Sequence, residues 1–206
     1  MGLEQRQGIY GTYWGNTYDS SQPLTLEQQQ VNARYIWAYL QARGWTLNAV
    51  AGILGNMQSE SSINPGRWQN DDVLPSDPTY AGYGLVQWTP YTKYTNWIIN
   101  QGFSDPSIID ANLYRIIYEL NNNIQWIATE QYNYSFSEYS RSNDSPYNLA
   151  LAFLANYERP ENPNQPIRGT QAEYWYEYLG GLPPTPTNTY KKRKFPWVVF
   201  INNILT

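Results

Sequence analysis

The segment from Ala49 to Pro65 constrains the fold of this chain more than any other stretch. It reads AVAGILGNMQSESSINP, and residues 49–55 carry no charge. A helix that is apolar on all sides is normally buried, and the recurring alanine and glycine allow another backbone to approach closely. Because the residue before a proline avoids the helical region, we expect the helix to end near Asn64. The sequence therefore predicts a buried central helix.

One acidic side chain, Glu60, lies close to the C-terminal end of this predicted helix. A carboxylate at that end is unfavourable, because the C-terminus of a helix carries partial negative charge. Residues that break such local preferences are found more often at functional sites. Helical spacing also puts Glu60 near Ile53 and Asn56, beside an apolar face that disfavours its charge. We therefore expect a carboxyl group that can hold and donate a proton.

The chain of 206 residues has no cysteine and no histidine. Thiol nucleophiles, Ser-His triads and the common zinc sites all need one of these residues, so those classes of chemistry are excluded. Carboxylate, hydroxyl, lysine and tyrosine chemistry remain. Among common substrates, glycosidic bonds are those that carboxyl groups can cleave without help from another kind of catalytic group. We therefore expect carboxylate chemistry without a metal or cofactor.

Aromatic residues make up 17% of the chain, with 20 tyrosines and 9 tryptophans. Tyrosine and tryptophan combine a large apolar surface with a polar atom, which suits sugar-binding grooves as well as small cores. The net charge of −4 argues against a nucleic-acid-binding protein. No apolar run is long enough for a membrane-spanning helix, and the pattern predicts neither a secretory signal nor stable membrane insertion.

The periodicity predicts a mainly α fold, with at most a small β element near residues 70–88. Glycines at 44, 102 and 180–181 are expected to end helices. Start signals are residues that cap a helix, some of them followed by proline at the first helical position. They are Thr25 with Gln28, Thr46, Thr89-Pro90, Asp105-Pro106, Asp144 or Ser145 before Pro146, and Thr170 with Glu173.

The pattern divides the chain into four parts. Residues 1–22 form an N-terminal leader without helical period, and residues 23–181 form the main domain. Residues 182–190 are a proline-rich linker, and 191–206 are a basic and apolar tail. The tail is too short to span a bilayer, and we expect it to dock on a partner protein rather than fold back.

Three motifs resemble the phage tail lysozyme family, in the order and spacing of that family. They are Gly55-Asn-Met-Gln-Ser-Glu-Ser-Ser-Ile-Asn-Pro65, Gly82-Tyr-Gly-Leu-Val-Gln-Trp88 and Asn156-Tyr-Glu-Arg-Pro160. The resemblance covers residues 24–181. It implies a lysozyme-like fold, related to goose-type lysozymes and lytic transglycosylases, in a peptidoglycan-degrading domain carried on phage tail tips.

The resemblance also implies roles for individual residues. Glu60 matches the catalytic glutamate, Gly84, Leu85 and Gln87 match the segment that lines the cleft, and Tyr157 and Glu158 match the late motif that faces the site. Some members carry a metal-dependent peptidase domain after the linker. Without histidine or cysteine, and with only residues 191–206 after the linker, this chain is not expected to have that activity.

The expected reaction is hydrolysis of the β-1,4 bond between N-acetylmuramic acid and N-acetylglucosamine, with Glu60 as general acid. An inverting hydrolase needs a second carboxylate, and the candidates are Asp71, Asp72, Asp77 and Glu158. The aspartates also suit ordinary turns, and Glu158 also suits an ion pair with Arg159. A lytic transglycosylase would need Glu60 alone.

Substrate contacts are predicted for a further group of residues, with core packing or backbone hydrogen bonding as the alternative for each. They are Asn56, Trp68, Tyr83, Gly84, Gln87, Trp88 and Tyr157. The predicted partners are a peptidoglycan strand and other phage tail proteins, the latter through residues 191–206. The predicted location is the virion tail tip, acting on a Gram-positive cell wall. A non-catalytic tail plug or glycan-binding protein and a free endolysin remain alternatives.

Overall fold

The computed structural model of the protein describes residues 6–7, 12–14, 23–69 and 80–182. Asp71, Asp72 and Asp77, the linker from residue 183 onward and the tail lie outside the described residues. Within them the fold is mainly helical, which confirms the predicted fold class. The helices are α1 (Leu26–Gln41), α2 (Leu47–Ser61), α3 (Thr92–Asn100), α4 (Ile109–Asn121), α5 (Phe136–Arg141), α6 (Pro146–Phe153) and α7 (Ile167–Gly180).

A short π-helical segment, Leu154–Glu158, continues α6. The β structure is small. Strands β1 (Arg6–Gln7) and β2 (Tyr13–Trp14) pair antiparallel, and β2 lies against α1. A β element was expected near residues 70–88; in the described part of that range, residues 80–88, isolated bridges join Tyr83 to Trp68 and to Trp88.

Helix α2 lies at the centre of the fold, as its composition predicts. Residues 49–57 are buried, and the helix packs against α7, α6 and α1. A Cβ at Gly52 would lie 2.9 Å from Cβ of Leu149 in α6, and one at Gly55 would lie 2.9 Å from the backbone nitrogen of Ala172 in α7. The small residues therefore let α6 and α7 approach the backbone of α2 directly.

Three of the predicted helix starts are confirmed. Thr25 and Gln28 form a reciprocal capping box at α1, and the Thr46 hydroxyl accepts a hydrogen bond from the Ala49 backbone at α2. Ser145 caps α6, with Pro146 in the first turn. Each cap satisfies a backbone N–H that has no partner inside its helix.

Three other predicted helix starts are wrong. In two of them the side chain that was expected to cap a helix makes another hydrogen bond, and in the third the helix begins earlier in the chain. The Thr89 hydroxyl donates to the Gln87 carbonyl, and α3 begins only at Thr92. Asp105 binds the backbone and hydroxyl of Ser107, and α4 begins at Ile109. Thr170 lies inside α7, whose first turn forms around Pro166.

Helix α2 ends at Ser61, three residues before Asn64. The Ser61 hydroxyl donates to the carbonyls of Met57 and Leu85, and Ser62 and Ile63 adopt left-handed conformations with φ of 54° and 53°. The chain therefore turns two residues after Glu60. Among the described residues, no helix has the length and apolar character needed to cross a membrane.

Candidate active site

A groove of about 480 Å³ opens where the end of α2, the turn after residue 81 and the π-helical segment meet. Its wall contains two carboxyl groups and several neutral polar side chains. The lining residues are Glu60, Arg67, Trp68, Gln69, Gln87, Thr89, Glu158 and Pro160. Two acidic residues predicted from separate motifs, Glu60 and Glu158, are therefore brought to one cleft.

Glu60 lies in the last turn of α2 with its side chain 20% exposed. Its Oε1 lies 2.5 Å from Nη2 of Arg168, which α7 supplies. The surroundings therefore differ from the expected apolar face, because a buried guanidinium binds the carboxylate directly. Charge-assisted hydrogen bonds of this kind are stronger than neutral ones and fix the orientation of the carboxyl group.

Glu158 enters the groove from the last residue of the π-helical segment. Its Oε1 is buried and has no hydrogen-bond partner among the described residues. Burial, followed by the nearby charge of Glu60, raises the pKa of Glu158 well above its ordinary value, while Arg168 acts in the opposite direction. Burial therefore favours the uncharged form of Glu158 over the carboxylate, compared with an exposed glutamate.

The alternative of an ion pair between Glu158 and Arg159 does not match the contacts of Arg159. Its Nη1 donates to the backbone carbonyls of Gln125 and Asn156. These bonds hold the end of the π-helical segment against the loop after α4. Glu158 is thus left facing the groove.

The turn from Gly82 to Trp88 builds the opposite wall. Gly84 has a φ of +85°, and a Cβ there would lie 2.6 Å from Oδ1 of Asn112. Gln87, at a φ of 49°, donates from Nε2 to the carbonyls of Arg67 and Gly84. Because both partners are acceptors, the amide orientation is determined, and Oε1 is left buried without a partner among the described residues.

Left-handed non-glycine residues surround this groove. Ser62 and Ile63 follow Glu60, Gln87 lines the wall, and Arg159 follows Glu158. Each such residue costs about 1–3 kcal/mol, and these conformations concentrate at functional sites. The strain therefore supports a functional interpretation of the groove.

Asn56 does not reach the groove, and the prediction of a substrate contact does not fit its position. Its side chain is fully buried, and Nδ2 donates to the carbonyls of Gly52 and Ala150. Its Oδ1 accepts a hydrogen bond from Arg168 at 3.1 Å. The amide therefore supports the arginine that binds Glu60.

The three predicted aromatic contacts in the last two motifs lie in the core beneath the groove. Tyr83 and Trp88 both stack on Tyr94, and Tyr157 stacks on Phe153. The Trp88 indole donates to the Tyr157 hydroxyl, which in turn donates to the buried Glu119. These residues are 1–3% exposed, so a direct sugar contact does not fit their burial. Trp68 is the predicted aromatic residue that lines the groove.

Sequence reasoning missed several residues of the site. Arg67, Gln69, Thr89 and Pro160 line the groove, and Arg168 lies behind it. Pro160 is the last residue of the third motif, and Arg67, Gln69 and Thr89 follow the first two motifs closely, so position in the sequence was a usable signal for all four. Arg168 lies 108 residues from Glu60, and no local pattern marks it. Within the part of the chain described here, no group of three potential ligands is placed to hold a metal ion.

A helical domain with a buried central helix that ends at a groove carboxyl defines the class of lysozyme-like proteins. The family described as phage tail lysozyme matches residues 31–179, and the chain belongs to this family. One similar protein is Morphogenesis protein 1 of Bacillus phage B103, 52% identical over 164 residues. The match covers 80% of this chain and 43% of that relative, so the chain spans less than half the relative's length.

Proposed function

We propose that the protein cleaves the β-1,4 bond between N-acetylmuramic acid and N-acetylglucosamine in peptidoglycan, with Glu60 as general acid. The observation that carries the proposal is the position of Glu60 at the end of the buried helix, with its carboxyl group in a polar groove. Membership of the phage tail lysozyme family supports the same chemistry.

The groove chemistry suits a glycan strand. Gln69, Gln87 and Thr89 offer amide and hydroxyl groups for sugar hydroxyls and N-acetyl groups, and Trp68 offers an aromatic surface. The buried Oε1 of Gln87, a residue of the groove wall, has no hydrogen-bond partner among the described residues. A site that leaves such an atom without a partner strongly favours ligands that supply one.

In the bond-breaking step, the O–H bond of Glu60 breaks and its proton passes to the bridging oxygen. The bond from that oxygen to the anomeric carbon breaks, and its electron pair stays on the oxygen. Glu60 becomes a carboxylate, which Arg168 is placed to bind. Proton donation by a positioned carboxylic acid contributes about 10²–10⁴-fold to such reactions.

The second step divides the proposal into two forms. An inverting hydrolase needs a carboxylate base, and burial works against the charged form of Glu158. Asp71, Asp72 and Asp77 stay the sequence-based candidates for the base. The raised pKa of the buried Glu158 favours a second candidate, a lytic transglycosylase. There the Glu60 carboxylate takes the proton of the sugar's own 6-hydroxyl, which attacks the anomeric carbon.

The test is mass spectrometry of the products from defined peptidoglycan. We expect Glu60→Gln to lower the rate by at least about 100-fold, because the amide cannot donate the required proton. The matched control is Glu130→Gln, which makes the same change at an exposed surface position and should keep full activity. A free reducing end identifies hydrolysis, and a 1,6-anhydromuramyl end identifies transglycosylation.

Full activity of Glu60→Gln would contradict the assignment of the acid. A wild-type protein that binds cell walls without digesting them would favour the non-catalytic plug or glycan-binding alternative. Both outcomes can be read from the same set of reactions, because bound and released wall material are measured together.

We propose further that the protein belongs to the virion and acts on a Gram-positive wall from the tail tip, with residues 191–206 docking on another tail protein. The family description and the Bacillus phage relative support this placement. A chain ending at Tyr190 should keep its digestion rate and lose incorporation into particles. Absence of the full chain from mature virions would instead favour a free endolysin.

A further inference from the structure

Arg168 uses each nitrogen of its guanidinium for a different anchor. Nε donates to Oε1 of Gln165 at 2.7 Å, Nη1 to Oδ1 of Asn56 at 3.1 Å, and Nη2 to Oε1 of Glu60 at 2.5 Å. The residue is 5% exposed. A guanidinium held at three points has little freedom left, so its position and charge are fixed before any substrate arrives.

The anchor on Asn56 ties this arginine to the helix that carries Glu60. Residues 56 and 60 lie four apart on α2, so their side chains share one face of the helix. Since both Nδ2 hydrogen bonds of Asn56 go to carbonyl oxygens, the amide can turn only its Oδ1 toward Arg168. Helix α2 therefore fixes the arginine with one side chain and presents the carboxyl group with another.

We propose that Arg168 is the positioning residue for Glu60. It holds the carboxyl group toward the groove and stabilises the carboxylate that remains when the proton leaves. This inference rests on the proposed function of Glu60. Arg168 is not among the groove-lining residues, so it acts through Glu60 and not through the sugar.

The charged groups around the Glu60 carboxyl come from three parts of the fold. Arg168 faces it from α7, Glu158 from the π-helical segment, and Arg67 from the loop after α2. Glu119 and Arg159 influence Glu158 from further away. Arg168 makes an ion-pair contact with Glu60 at 2.5 Å, so its removal should directly affect the orientation of that carboxyl group.

The test compares Arg168→Met and Arg168→Lys with wild type, measuring kcat and KM separately on soluble peptidoglycan fragments. We expect Arg168→Met to lower kcat by about 10-fold or more with KM changed less than about 2-fold, because a misdirected carboxyl group slows the bond-breaking step and leaves substrate binding intact.

Arg168→Lys separates charge from geometry. The ammonium keeps the positive charge but cannot make the forked contacts of a guanidinium. We expect a kcat between those of wild type and Arg168→Met, with KM near its wild-type value. Arg34→Met is the matched control, because Arg34 is an exposed residue of α1 that donates a hydrogen bond to Tyr178 of α7, the helix that carries Arg168. It should change neither parameter.

Arg168→Met with an unchanged kcat, or with a loss of kcat/KM that comes from KM alone, would overturn the inference. If circular dichroism shows that this variant does not fold, Gln165→Ala decides instead. It removes one anchor at a partly exposed loop position and should lower kcat about 2–5-fold at constant KM, while an unchanged kcat overturns the inference. An inactive wild type, or an active Glu60→Gln, would contradict the proposed function itself.

Discussion

Glu60 and Glu158 share one groove but have different electrostatic surroundings. Arg168 binds Glu60, whereas burial raises the pKa of Glu158, whose Oε1 has no partner among the described residues. A neutral carboxylic acid and an amide have nearly the same shape. We therefore expect Glu158→Gln to keep at least half of the wild-type rate at pH 7, measured as initial release of soluble wall fragments.

A rate loss above about 10-fold in Glu158→Gln would show that Glu158 exchanges a proton during the reaction, and the neutral role would be wrong. Glu158→Ala provides the comparison for the hydrogen-bonding capacity of the side chain. It removes the polar group as well as the acid, so it should be slower than Glu158→Gln.

Individual site residues were predictable to the extent that a local pattern marked them. Glu60, Gln87 and Glu158 stand in recognisable motifs, and all three line the groove. Asn56, Tyr83, Trp88 and Tyr157 stand in the same motifs but support the site from the core. A motif shows that residues are needed together, but it does not distinguish residues that line the groove from buried residues that support it. Arg168 could be identified only from the packing of α7 on α2, which no local pattern predicts.

The contact between α2 and α7 positions the ion pair, and Gly55 makes this contact close. A Cβ at residue 55 would meet the Arg168 carbonyl and the backbone nitrogen of Ala172. Because these are backbone atoms, the helices themselves must separate. We expect Gly55→Ala to lower the free energy of unfolding by about 1–3 kcal/mol, measured by urea denaturation, and to reduce kcat as well.

Gly180→Ala is the matched control for this prediction, since it makes the same change at the end of α7. The new Cβ would meet only Leu47, at 3.6 Å, which is ordinary contact. Alanine is a better helix former than glycine by up to about 1 kcal/mol, so stability should stay equal or rise. Equal losses in both variants would show that helix separation is not the cause.

The helix starts show where a local capping signal predicts the structure correctly and where it does not. The caps at Thr25, Thr46 and Ser145 were predicted because each side chain bonds within its own first turn. Thr89 and Asp105 offered the same pattern, but neighbouring backbone and hydroxyl groups took their hydrogen bonds. A capping residue predicts a helix only where no closer partner competes.

The stability of the whole molecule should depend on pH through Glu158. Burial raises its folded pKa above that of the unfolded chain, so the folded state holds the proton more tightly. The corresponding stability is fully present below the ordinary value of 4.5 and is lost as the pH rises toward the folded pKa. Denaturation midpoints between pH 4 and 8 should fall less in Glu158→Gln than in wild type or Glu130→Gln.

The π-helical segment from Leu154 to Glu158 has a consequence for how this domain can vary. A π turn holds one residue more than an α turn. Five residues in the π form turn the chain through about the same angle as four in the α form. Deletion of Ala155 with return to an ordinary helix would therefore leave Glu158 on nearly the same side of the axis. This stretch should accept the loss of one residue more readily than an uninterrupted α-helix, in which each deletion rotates the side chains that follow by about 100°.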